Sequence, residues 1–318
     1  MRTVSIPGTE LQASCIGMGC ASLGSRISKK QGLRALSAAY ARGVTWYDVA
    51  PPYGAGDAES ILGAFLVGRR RSVIVCSKVG LSTPANNKLI KMAYRAGRPV
   101  VSLAQGLRRR FRQLPSTRNV RIPLTAASIE MSVKKSLDRL GTDYLDILAL
   151  HDPDPADLGR DDILAALEKV KTRGQARYLA LAGSFQAAEK AAVIPDFSIL
   201  QLADPPTAPP LPRLRRQLER PVGFITHSVF GVAGAKAQLM SKLAANPKLL
   251  KILAEGGFGN SAEIATNHLL LQRAFVSNPN GVVLASMFSG NHLEENIRRA
   301  ASPLNPAAAQ ILEQIYAP

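Results

Sequence analysis

AASIEMSVKKSLDRLGTDYLDILALH, residues 126–151, sets a helix against a strand across a single turn. The first part reads as an amphipathic helix closing at Gly141. The second is a buried apolar strand, 145–150, that ends on His151. A helix feeding straight into a buried strand is half of a β/α unit, and the pattern continues on both sides.

Eight apolar runs can be counted, at 14–19, 44–47, 72–77, 145–150, 177–182, 198–202, 221–226 and 281–284. Helix-period stretches separate most of them, among them KQGLRALSAAYARG before GVTWYDVA and GRDDILAALEKVKTRG before ARYLALAGS. Eight strands without an antiparallel meander predict an α/β fold, a (β/α)8 TIM barrel. An open doubly wound sheet is the runner-up, disfavoured because no GxGxxG follows the first strand. TVSIPGTELQ predicts an N-terminal β-hairpin across the barrel floor. Long rim loops are expected at 81–123 and at the Pro-rich 204–221, within one domain over 1–318. Loops on that rim build the substrate pocket of such a barrel.

With 318 residues, 46% of them hydrophobic, the chain can bury a core without disulfides. Cys15, Cys20 and Cys76 lie in apolar or small-residue surroundings and read as buried free thiols in a reducing compartment. No His or Cys pair stands at zinc-ligand spacing, so no metal is expected. No signal peptide or membrane-length apolar stretch is seen, which points to a cytoplasmic protein. Net charge is +17, and ten of the basic residues fall between Leu81 and Leu124, where no acid occurs.

Four polar residues stand at strand ends. Asp48 follows GVTWY, Tyr53 comes five residues later, Lys78 closes VIVCSK and His151 closes LDILALH. Parallel neighbouring strands would bring them to one end of a barrel. There an ammonium beside a phenol would lower its pKa from the usual ~10 and ready it for proton transfer. Asp48 would hold Lys78, and His151 would orient a carbonyl or relay the proton. Tyr53 would then be general acid for reduction and general base for oxidation, with a bound nicotinamide as hydride source.

DVAPPYG at 48–54 with Glu59 downstream, SK at 77–78, and SLDRLGTDYLDILALHDPD at 136–154 resemble the aldo-keto reductase superfamily. The resemblance covers nearly the whole chain. It implies a catalytic set of Asp48, Tyr53, Lys78 and His151 in a barrel that binds NADP(H), with NAD(H) as the competing cofactor. Glu59 reads as structural, and Arg139 is expected to pair with Asp143 or Asp146.

The cofactor positions implied by the resemblance are less regular. Where relatives hold the nicotinamide carboxamide with Ser-Asn, this chain has Ala182 and Gly183, with Ser184 one place later. Gln201 matches the usual carboxamide-binding Gln. His227 stands where a stacking aromatic is usual, with a purely structural role as the other reading. Ser228 and Gly231 match the loop near the pyrophosphate. Glu295 and Asn296 match the adenosine grip, while Ser286 and His292 replace the Lys and Arg of NADP-preferring members.

Leu103, Leu107 and Phe111 predict a short helix in the basic loop, with RRRFR at 108–112 crowded around it. That loop is either a solvated lid or an electropositive funnel for an anionic substrate or the cofactor phosphates. Nucleic acid finds no reading motif or aromatic platform. The expected partner is a small carbonyl or alcohol substrate. From another class, the alternative is a cofactor-binding regulatory subunit, of the channel-associated kind, with little or no turnover.

Overall fold

The computed structural model describes residues 1–83, 119–230 and 234–316. Strands β1 (Thr3–Ser5) and β2 (Gln12–Ser14) form an antiparallel hairpin. Eight parallel strands close a barrel: β3 (Ile16–Gly19), β4 (Trp46–Asp48), β5 (Ile74–Val79), β8 (Leu145–His151), β9 (Ala176–Ala182), β10 (Phe197–Ala203), β11 (Gly223–His227) and β12 (Val282–Ala285). The short strands β6 (Leu81–Ser82) and β7 (Val120–Arg121) pair antiparallel beyond β5. All eight apolar runs of the sequence are barrel strands, so the (β/α)8 expectation holds.

Local chemistry explains where the helices begin and end. Ser28 and Thr125 each close a reciprocal capping box, with Gln31 and Ser128, at the starts of helices Lys29–Ala41 and Ala126–Leu140. Gly141 ends the second at φ 64°, a left-handed cap that glycine takes without strain. Ile129, Val133, Leu137 and Leu140 form its buried face, which keeps it against the sheet.

The hairpin lies on the barrel floor, as expected. A side chain added at Gly223, the first residue of β11, would run into Ile6, and one at Gly8 into the Pro221 carbonyl. Ile6 and Leu11 are both buried there. The three cysteines are free and buried.

Two ionic contacts tie the wall together, and one departs from expectation. Arg139 does not pair with Asp143 or Asp146. Its Nε donates to Glu59 Oε2 at 2.7 Å, while Ser77 Oγ donates to Glu59 Oε1 at 2.6 Å. Glu59 is buried on helix Ala58–Leu66, so this pair links that helix to Ala126–Leu140 and to β5. Asp146 instead takes Arg70 at 2.8 Å, Arg177 at 3.3 Å and the Val75 amide at 2.9 Å. The reason is reach: Asp146 lies within β8, beside β5 and β9, and those strands carry or precede its partners.

Helices Ala235–Ala244 and Pro247–Glu255 went unread in the sequence. The second buries only Leu253, so its core-facing pattern is too thin to show. The basic-loop helix around Leu103 lies outside the described residues.

A buried bidentate pair joins the end of β10 to helix Ala262–Ser277: Arg273 Nη1 and Nη2 meet Asp204 Oδ2 and Oδ1 at 2.8 and 3.2 Å. Removing one partner strands the other charge out of water. Asp204→Ala is therefore expected to lower unfolding free energy by about 3 kcal/mol in urea denaturation.

Candidate active site

The strands run one or two residues past their apolar runs, so the polar residues are strand ends and not loop residues. Asp48 is the last residue of β4, His151 of β8 and His227 of β11, while Lys78 is the penultimate residue of β5. Tyr53 opens a one-turn 3-10 helix, Tyr53–Gly56, just beyond β4. The turn depends on Gly54: its φ is 61°, and a side chain there would collide with the Leu23 carbonyl.

Lys78 is the hub. Its ammonium is buried and donates to Asp48 Oδ1 at 2.6 Å, the Val49 carbonyl at 3.2 Å and Tyr53 Oη at 3.3 Å. Those three acceptors match its three N–H donors. The His151 ring stands edge-on to Tyr53, centroids 5.8 Å apart and planes at 87°. The four residues expected from the sequence thus meet.

Electrostatics alters one expectation. Burial would lower the Lys78 pKa, but the adjoining Asp48 carboxylate outweighs it and the net shift is upward, so the ammonium persists. The Tyr53 phenol is not lowered. Burial pushes it up to about 12, with Asp48 adding to the rise, and the pull of Lys78 is the smaller effect. In the absence of substrate it is a neutral phenol. Burial, with Lys78 and His227 adding to it, drops His151 to about 3, and its Nδ1 is buried without a hydrogen-bond partner among the described residues. His227 is also lowered, first by burial, and its Nδ1 lies 2.8 Å from Ser228 Oγ.

A cavity of about 490 Å³ is lined by all four residues together with Ser184, Gln201, His227, Ser228 and Ser286. Ser184 caps helix Phe185–Ala192 through the Ala187 amide at 3.2 Å. Gln201 is buried in β10, its Oε1 4.0 Å from Cys76 Sγ. Three further expected positions are not on this lining. His292, Glu295 and Asn296 stand on helix Gly290–Ala301: His292 exposed, Glu295 at 3.6 Å from Arg299, Asn296 buried. Gly231 lies outside the described residues.

The sequence reading missed Asp152, Ser22 and Arg26, all on the cavity wall. Arg26 donates to Ser22 Oγ in the loop after β3. Asp152 holds φ 48°, Ser228 φ 63° and Ala55 φ 58°, the only positive-φ residues other than glycine among those described. Each lies within two residues of His151, His227 or Tyr53, so backbone strain gathers at the mouth, as it does at functional sites. No pattern of residue types announces such dihedrals.

The family model for the aldo/keto reductase family matches residues 15–317, and the chain belongs to that family. Among curated proteins it is similar to D-threo-aldose 1-dehydrogenase of Pseudomonas sp., 32% identical over 52% of this chain and 48% of that one. It also matches aldo-keto reductase YhdN of Bacillus subtilis, 31% identical over 49% of this chain and 39% of that one. The matches thus span about half the length of these relatives or less. Among solved structures, a holo-form aldo-keto reductase from Bacillus halodurans superposes with TM-score 0.70 at 20% identity, covering 100% of this chain and 97% of its own. One from Klebsiella pneumoniae in complex with NADPH gives 0.67 at 19% identity, covering 100% and 96%. Among the described residues no helix is long and apolar enough to cross a membrane.

The lowered histidines fix a pH dependence. An unfolded His binds its proton near pH 6.5, while folded His151 holds off until about 3, so the unfolded state binds more protons between those values. Stability is therefore full above pH 6.5 and declines as pH falls toward 3, by at most about 1.4 kcal/mol per unit for one such group. His151→Asn should flatten that decline in denaturant titrations from pH 7 to 4 by up to this slope.

Proposed function

We propose that this protein is a nicotinamide-dependent oxidoreductase that interconverts a carbonyl and an alcohol, an aldehyde, ketone or sugar-like alcohol, with Tyr53 as the proton-transfer group. The observation that carries the reading is the buried ammonium of Lys78 held between Asp48 Oδ1 and Tyr53 Oη at the cavity wall. A buried charge is costly to place, and packing alone does not call for one beside a phenol.

On this reading each group has a task. Lys78 donates to Tyr53 Oη, so the phenolic proton is left to point elsewhere, toward a substrate oxygen in the cavity. As that proton leaves, the neighbouring ammonium stabilises the phenolate; this is where Lys78 acts, since in the resting site burial prevails. Asp48 fixes the ammonium in place. His151, neutral throughout the physiological range, can donate one N–H to the same oxygen without adding a second cation. The resting phenol suits reduction, and oxidation requires that the substrate hydroxyl meet the phenolate form.

The residues present fit NADP(H), the ligand of the Klebsiella neighbour. When bound, it supplies or accepts the hydride. Ser184 accepts the Ala187 amide as a cap and keeps its own O–H to donate, and Gln201 brings a carboxamide to the same wall. The His227 imidazole lines the same cavity and would stack on the nicotinamide ring. Ser286 and the free N–H groups opening helix Gly290–Ala301 would meet a 2′-phosphate, with Glu295 and Asn296 for the adenosine. NAD(H) is the competing cofactor, since no cation occupies position 286 or 292.

Fluorescence quenching with NADPH and NADH tests the binding half: quenching by NADPH is expected, and none by either would sink the reading. Tyr53→Phe should bind NADPH and lose about a thousandfold in kcat for aldehyde reduction. Turnover as fast as wild type would remove Tyr53 from the role.

A further inference from the structure

A second cavity, of about 250 Å³, opens on the other side of His151. His151 and Asp152 line both this and the larger one. The described residues give the second cavity an acidic wall: Asp152, Asp154 and Asp157 against Arg121. Two of these carboxylates are already engaged. Asp154 Oδ1 accepts the Ala156 amide at 2.9 Å, and Asp157 Oδ1 takes Arg160 at 3.2 Å.

Asp152 differs. It is exposed, and no hydrogen bond or ion pair to its carboxylate occurs among the described residues. Its backbone amide is pinned to the Ala182 carbonyl at 2.7 Å, and its φ of 48° is a conformation that costs a non-glycine residue energy. The carboxylate lies along bare backbone: a side chain built on Gly183 would come within 3.5 Å of Asp152 Oδ1. A strained residue next to His151 thus holds an uncommitted acceptor at the junction of two cavities.

We infer that Asp152 determines substrate specificity: its carboxylate accepts hydrogen bonds from hydroxyl groups of a polyhydroxylated carbonyl or alcohol whose tail enters the second cavity, and it disfavours anionic substrates. This rests on the oxidoreductase reading above and names its substrate class. A carboxylate has four lone-pair directions and no donor, so hydroxyls satisfy it and another carboxylate or a phosphate repels it. A site built to hydrogen-bond a hydroxyl discriminates strongly against the analogue that lacks it. The anionic-substrate reading of the basic loop finds no support on this wall.

The test uses the full chain with NADPH and three aldehydes: glyceraldehyde, propionaldehyde, which lacks its hydroxyls, and anionic succinic semialdehyde. Asn tolerates the left-handed backbone and matches Asp in shape, so D152N removes the charge with little strain. Wild type should prefer glyceraldehyde to propionaldehyde in kcat/KM, and D152N should reduce that ratio about tenfold, mainly through KM. KM for succinic semialdehyde should fall in the same variant. A glyceraldehyde preference that survives in D152N, or was absent from wild type, overturns the inference and leaves the oxidoreductase reading standing. Failure of wild type to reduce any of the three while binding NADPH overturns that reading itself.

Discussion

Everything at the mouth of this barrel depends on keeping one ammonium out of water. Burying a lysine head group costs several kcal/mol unless its charge and its hydrogen bonds are met. Lys78 meets that condition with a carboxylate at 2.6 Å, a main-chain carbonyl and a phenol. Each acceptor comes from the end of β4 or the turn after it, so the site is a contract between two adjacent strands. The register makes it feasible: Asp48 lies opposite Cys76, two residues before Lys78, and both side chains face inward at the same end.

The rest of the wall can be read as support for that pair. Ser77, beside Lys78, donates to Glu59, which also holds Arg139. The helix after β4 and the helix before β8 are thereby fastened to β5 from outside, while Lys78 is fastened from inside. Alternation along a strand sends Ser77 and Lys78 to opposite faces, so a single short strand anchors both the helix layer and the site. Gly54 completes the arrangement by letting the turn press against the Leu23 carbonyl, which brings Tyr53 back over β5.

This explains what was legible in the sequence and what was not. Strands buried on both faces appear as apolar runs, so β5 and β8 were plain, and the polar residues closing them stood out. The tetrad positions follow from parallel order alone once the barrel is granted. Partners separated by an element were harder: Arg139 has acids four and seven residues on, and either of these looked like a natural partner. It reaches Glu59 because helix packing sets distance in space. Helix Pro247–Glu255, with one buried residue, carries too little pattern to be seen. Asp152 was passed over because its significance lies in a dihedral and in the absence of a side chain at Gly183, neither of which a residue type encodes.

Among the described residues the charges on the larger cavity's lining are mixed, Lys78 and Arg26 with Asp48 and Asp152. Net charge is +17, yet in the larger cavity Lys78 is answered by Asp48, and both histidines are held neutral by burial. A protonated His151 would set a second cation beside Lys78, and its lowered pKa keeps the ring neutral near pH 7. Among the described residues the Lys78 ammonium is the cation in contact with the phenol, and the proton is retained at rest because burial outweighs that contact. On the proposed function, proton transfer in this pocket would be governed less by a permanently acidic tyrosine than by a buried charge fixed in advance beside it.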